Sequence, residues 1–138
     1  MKKEMNGYVI LLKPTIDSMG KPYETYNLIP HQGEIELEYL YSLLECDYVG
    51  AGNTDKSKII MPSGHEFNVP ALTIIYDDEL LIKAKNPQVN KMASLLWHTG
   101  RCLYGDVLLC RTTKDGKMIP FGEQMATRVK DVVRDMYV

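Results

Sequence analysis

Gly100-Arg101-Cys102-Leu103-Tyr104-Gly105-Asp106-Val107-Leu108-Leu109 leads to the turn Lys114-Asp115-Gly116-Lys117 and then the run Met118-Ile119-Pro120-Phe121-Gly122. Apolar runs on either side of an Asp-Gly turn are a hairpin pattern, because glycine supplies the positive φ that a tight turn requires. A hairpin is therefore expected over 102–112 and 117–121. Behind it, Met125, Val129, Val132, Val133 and Met136 recur at helical spacing. Arg128, Lys130, Asp131, Arg134 and Asp135 cover the other face, so a closing amphipathic helix is expected over 123–137.

Upstream of the hairpin, Leu72-Thr73-Ile74-Ile75-Tyr76 reads as a strand ended by Asp77-Asp78. Residues 79–85 fit an extended segment or a short helical turn equally well. A helix is expected over 87–98, with Asn86 as cap, Pro87 at its first position and Gly100 as stop. Nearer the N-terminus, 7–13 reads as a strand stopped by Pro14. Residues 14–22 form a loop, and 23–29 return as a second strand.

A further helix is expected over 34–45, where Leu37, Leu40, Tyr41 and Leu44 share a face and Glu34, Glu36 and Glu38 meet its positive end. Short strands at 46–51 and 57–61 would flank the turn Gly52-Asn53-Thr54-Asp55, with another turn at Pro62-Ser63-Gly64. The expected architecture is one α+β domain over residues 1–138, mostly antiparallel sheet with two or three helices.

Composition narrows the function. The apolar share of 45% and charged share of 25% are those of an ordinary globular domain. A formal charge of −2 argues against generic nucleic-acid binding and is far too small for a mimic of a phosphate backbone. Cys46, Cys102 and Cys110 are odd in number and lack a CxxC pair, so they read as buried free thiols. Tyr8 to Leu12 is too short an apolar run for a signal peptide or a membrane span, and a cytoplasmic protein is expected. Nine tyrosines against two phenylalanines and one tryptophan lean towards binding surfaces.

Catalytic motifs are missing from the sequence. His31, His65 and His98 lie far apart with no metal-ligand spacing, so neither a metal nor another cofactor is expected. No GxSxG elbow is present, and Gly50-Ala51-Gly52 does not open a helix as a dinucleotide fingerprint would. Asp77-Asp78-Glu79 reads as a solvated turn.

The helix start at Asn86 differs from these. Its first turn, Pro87-Gln88-Val89-Asn90, lacks a carboxylate, and Lys83, Lys85 and Lys91 flank it. Free amide donors with nearby ammonium groups make a seat for phosphate or carboxylate. The helical step sets Asn90, Ser94 and Trp97 along one border of the apolar stripe, where an indole can stack on a base or close an interface. Arg101 and Tyr104 follow closely enough to join such a pocket.

Several of these runs resemble one family. Leu37-Glu38-Tyr39-Leu40-Tyr41-Ser42-Leu43-Leu44 before Cys46-Asp47-Tyr48-Val49 is similar to the helix-then-strand opening of domain-of-unknown-function family 3846. Tyr76-Asp77-Asp78-Glu79-Leu80, Asn86 to Ala93, Gly105 to Leu109 and the Asp115-Gly116 turn with its closing helix continue the likeness across 34–135. Val49-Gly50 departs from the Gly-Gly-Tyr of many members, and 51–70 is longer.

The resemblance implies a small phage, prophage or plasmid protein without established enzymatic chemistry, acting in the host cytoplasm. Unrelated phage proteins of this size sequester host immune signals as symmetric oligomers. The expected function by that analogy is a non-enzymatic homo-oligomer holding a phosphate-bearing nucleotide. Lys83, Lys85, Asn86 and Lys91 would meet the phosphate, Trp97 and Tyr104 would stack on a base, and Asn90 and Arg101 would donate hydrogen bonds. The alternatives are a protein–protein inhibitor or adaptor acting on a host defence protein, and a small enzyme degrading the signal through Asp77, Asp78, Asp106 and His98.

Overall fold

Val9, Ile10, Leu11 and Leu12 are apolar at consecutive positions, and a strand without polar alternation needs cover on both faces. A computed structural model supplies both covers and describes residues 6–16, 22–46, 49–53, 58–60, 66–68, 72–77, 89–90, 93 and 103–137. The strands are β1 (Asn6–Ile16), β2 (Pro22–Gln32), β3 (Val49–Asn53), β4 (Lys58–Ile60), β5 (Glu66–Asn68), β6 (Leu72–Asp77), β7 (Val107–Thr112) and β8 (Met118–Ile119). The helices among the described residues are α1 (Leu37–Leu44) and α2 (Glu123–Tyr137), and Ala93 also holds a helical position.

The main sheet runs β2-β1-β7-β6-β3 with β8 paired to β7, and every pairing is antiparallel. β4 and β5 form a separate two-stranded pair. On one face Ile10, Leu12, Leu72, Ile74, Val107, Leu109 and Phe121 pack with Ala126 and Val129 of α2. On the other, Val9, Ile75, Leu108 and Cys110 pack with Leu40 and Leu44 of α1, joined by Ile35 and Cys46. Alternate residues of β1, β6 and β7 thus enter different cores, and this accounts for their unbroken apolar runs. The architecture is α+β, a central antiparallel sheet with a helix on each face.

Several boundaries differ from those expected. β1 continues through Pro14 to Ile16. Tyr8 exchanges both backbone hydrogen bonds with Phe121 (2.8 and 2.9 Å), so even-numbered residues of β1 turn their polar groups away from β2. Pro14 is even-numbered and lies beyond Leu12, the last residue paired to β7, so the ladder needs no N–H there. α1 begins at Leu37 rather than 34: the Ile35 amide donates to the Met118 carbonyl at 2.8 Å, and Glu36 is extended with φ −89° and ψ 156°. Gly52 and Asn53 belong to β3 rather than to a turn, facing Ile74 and Thr73.

The hairpin forms as expected, but only from Val107 onwards. Thr113 binds the turn through its amide to the Lys117 carbonyl (2.8 Å) and its hydroxyl to the Asp115 carboxylate (2.9 Å), while Gly116 takes φ +87°. α2 has the expected limits, with Met125, Val129 and Val132 against the sheet.

Candidate functional site

Asparagine carries two amide hydrogens and an acceptor oxygen, so burying it requires several partners at once. Asn90 finds them all within the protein. Its Nδ2 donates to the carbonyls of Leu12 and Gly105, both at 2.9 Å, and its Oδ1 accepts from the amide of Ala93 at 3.1 Å. Its own amide donates to the Leu103 carbonyl at 2.8 Å, and the neighbouring Val89 bridges antiparallel to Tyr104. No part of Asn90 reaches solvent.

Two sequence-based expectations are corrected here. Asn90 is not a ligand donor, because both amide hydrogens are committed and the side chain is enclosed. Nor does a helix run from Pro87 through Asn90, since Val89 is in a β-bridge and Asn90 is non-helical. The Asn90 oxygen instead accepts from the amide three residues on, the geometry of a helix N-cap. Asn90 therefore stands in the cap position to Ala93, and Asn86 lies outside the described residues. The Asn-Pro dipeptide is a good local cap signal, but the Leu12 and Gly105 carbonyls that engage Asn90 come from distant parts of the chain.

Of the remaining residues expected at the site, Tyr104 is half-buried in the bridge to Val89, itself 39% exposed. Lys83, Lys85, Asn86, Lys91, Trp97 and Arg101 lie outside the described residues, as do Asp78, His65, His98 and Cys102. Cys46 and Cys110 are buried and not disulfide-bonded, and burial pushes the Cys110 thiol up to about 12. Among the described residues no group of three or more His, Cys, Asp or Glu is gathered as metal ligands.

A charge group that the sequence does not announce lies next to this hub. Gly105, at φ +72°, hands the chain to Asp106, whose carboxyl is held above the usual carboxylate range by burial. Lys13 of β1 pulls that value back down, and Glu45 pushes it up. Glu45 is the left-handed C-cap of α1 (φ 50°, ψ 52°), with its amide donating to the Tyr41 carbonyl. These three residues are far apart in sequence and share no motif; only the β1–β7 register and the end of α1 gather them.

Two cavities open elsewhere. One of about 300 Å³ is lined by Gly7, Tyr8, Pro30, His31, Gln32 and Glu123. The His31 ring lies 4.4 Å from that of Tyr39, and its Nε2 is 3.1 Å from the Glu34 carbonyl oxygen. The second, about 500 Å³, runs between the start of α1 and the β7–β8 turn and is walled by Glu34, Glu36, Glu38, Leu37 and Lys117. Three carboxylates against one ammonium repel an anion, so this groove suits a cationic or apolar occupant. Neither cavity is lined by Asn90 or Tyr104.

Comparison with family models, with curated proteins and with solved structures finds no match to this chain.

Proposed function

We propose that this protein binds and sequesters a small phosphate-bearing nucleotide signal without transforming it, as a homo-oligomeric accessory protein of a phage or related mobile element. The observation that carries the reading is the closure at Asn90. The Val89–Tyr104 bridge and the Asn90-to-Leu103 hydrogen bond tie together the two ends of the stretch 91–102. Lys91 follows Asn90 directly, Arg101 precedes Leu103 by two, and Trp97 lies between them in sequence. A cation close in sequence to each side of this closure, with Tyr104 in the bridge itself, supports a site for a phosphate and an adjoining base.

Incubating the purified protein with cyclic oligonucleotides and ADP-ribose isomers tests this. Free ligand is removed by filtration, the protein is heated, and released material is identified by mass spectrometry. A compound depleted from the filtrate and returned intact supports sequestration. One returned altered indicates an enzyme, with Asp106 beside Lys13 as the first group to substitute. Depletion of none removes the small-ligand reading.

A second reading, a protein–protein adaptor, is favoured by Leu37. It is 49% exposed and sits among Glu34, Glu36 and Glu38 in the larger groove. An apolar residue ringed by carboxylates suits a partner presenting an apolar side chain beside lysine or arginine. Loss of a host-protein complex on Leu37→Asp, with no nucleotide retained, would favour it.

A further inference from the structure

β2 is an edge strand, and no strand pairs with its outer side among the described residues. Its register with β1 is regular along the full length, from Asn6 opposite Gln32 to Ile16 opposite Pro22. Tyr8 directs its backbone N–H and C=O to Phe121, so Pro30, opposite Tyr8, directs its own backbone groups outward. The same alternation turns the backbone groups of Pro22, Glu24, Tyr26 and Leu28 outward.

Proline has no N–H, so the outer edge lacks donors at Pro22 and Pro30 but keeps them at Glu24, Tyr26 and Leu28. The two prolines stand four residues on either side of Tyr26. The open window is therefore symmetric about its own centre. Prolines commonly protect an edge from pairing; here they frame a stretch that can still pair.

We propose that β2 pairs with β2 of a second copy of this chain, antiparallel and two-fold about Tyr26, joining two sheets into one. Tyr26 of each copy exchanges both backbone hydrogen bonds with Tyr26 of the other. Glu24 of each does the same with Leu28 of the other, and where Pro22 lies opposite Pro30 neither residue has an N–H to donate, so the ladder ends there. Glu24 faces Leu28 rather than Glu24, so no like charges meet directly across the junction. The two-fold axis is perpendicular to the sheet and keeps both α2 helices on one face. α2 packs over β1, and three strand spacings set the two β1 strands roughly 14 Å apart, wider than the 8–10 Å of close helix packing.

This pairing specifies the oligomer named above but rests on backbone geometry alone, independent of any ligand. The test is the solution mass of the unliganded full chain by light scattering over a roughly hundredfold concentration series. The expected mass is twice the 15.7 kDa of one chain. Tyr26→Pro removes the central outward donor without touching the β1–β2 bonds, and the expected result is a folded monomer. A monomeric wild type, or a Tyr26→Pro variant that stays dimeric, overturns the proposal. If Tyr26→Pro fails to fold, Thr25→Cys with Asn27→Cys decides. These positions meet across the junction as a non-hydrogen-bonded pair, with Cα atoms close enough for a disulfide. A covalent dimer in which peptide mapping finds position 25 of one copy joined to position 27 of the other supports the register; its absence under mild oxidation overturns it.

Discussion

The side-chain amide of Asn90 donates to the backbone carbonyl of Leu12 across 2.9 Å, linking the edge of β1 to a segment far along the chain. The same nitrogen reaches Gly105, and the oxygen caps Ala93. Replacing Asn90 by alanine strands these enclosed groups, each costing about 1–3 kcal/mol when left unsatisfied. Asn90→Ala should lower stability by about 3 kcal/mol in urea unfolding, allowing for partial relaxation. Asn90→Asp should be worse, since it sets a carboxylate against two carbonyl oxygens. A loss under about 0.5 kcal/mol for Asn90→Ala would show that the hub contributes little.

Gly7 and Gly116 are both glycines for backbone reasons, but the reasons differ. A Cβ on Gly7 would fall on the carbonyl of Phe121, the acceptor of the Tyr8 amide. A Cβ on Gly116 meets nothing within 4 Å, and only its φ of +87° resists a side chain. Gly116→Ala should therefore cost about 1 kcal/mol. Gly7→Ala should cost about 2 kcal/mol or more, because the β1 backbone must separate from Phe121. Reversal of that order in thermal unfolding would contradict the packing at Phe121.

Much of this fold can be read from local chemistry. α2 matches its expected limits because its apolar stripe and polar face occupy one helix that packs on one surface. The Thr113–Lys117 turn follows from Asp115-Gly116 in the same way. Pro14 misleads because a proline ends a strand only where its missing N–H faces a partner, and that depends on where β7 stops. The helix expected over 87–98 does not hold at 89–90, because pairing with Leu103 and Tyr104 takes those two residues out of it. Asn90 and Tyr104 are the two expected site residues among those described. The Lys13, Glu45 and Asp106 group leaves no local trace, since strand register and the end of α1 assemble it.

Cys110 lies wholly inside the core beneath α1, and burial raises its thiol from 9.0 to about 12. The neutral thiol is thus favoured by folding, and the unfolded chain gives up its proton first. This contribution is complete below about pH 9 and is lost as pH rises from 9 towards 12. Native Cys110 should resist iodoacetamide at pH 8 and react once the chain is unfolded. Replacing it with alanine should flatten the alkaline loss of stability. Rapid native labelling of Cys110 at pH 8 would contradict its burial.

Asp106 has its carboxyl raised chiefly by burial, so folding favours its protonated form. The benefit is complete below the ordinary carboxylate range and fades as pH rises through the folded value. At pH 7 the ionised group is therefore a net burden, eased by Lys13 and worsened by Glu45. Asp106→Asn should raise the urea midpoint slightly at pH 7 and make little difference near pH 3, where the wild-type carboxyl is also neutral. The effect is small because solvent reaches the half-buried group. A clear loss of stability at pH 7 would mean that the Lys13 attraction outweighs burial.

Lys91 and Arg101 provide the sharpest test of the ligand reading, because they flank the two ends that Asn90 and Leu103 hold together. If each contributes a charge-assisted contact, their joint replacement by Gln should weaken nucleotide binding by about a hundredfold, from roughly 1.5 kcal/mol each. Wild-type affinity should fall as salt is raised, since screening acts on both contacts, and the double variant should lose most of that dependence. Unfolding curves of the double variant serve as the control, since a shift there would mean that the fold and not the ligand contact had been disturbed. Lys85→Gln separates this arrangement from a phosphate seat at Asn86: with the cap at Asn90, that substitution should leave affinity within about threefold. An intact affinity in the Lys91/Arg101 variant, together with a large loss in Lys85→Gln, would move the anion site back towards Asn86.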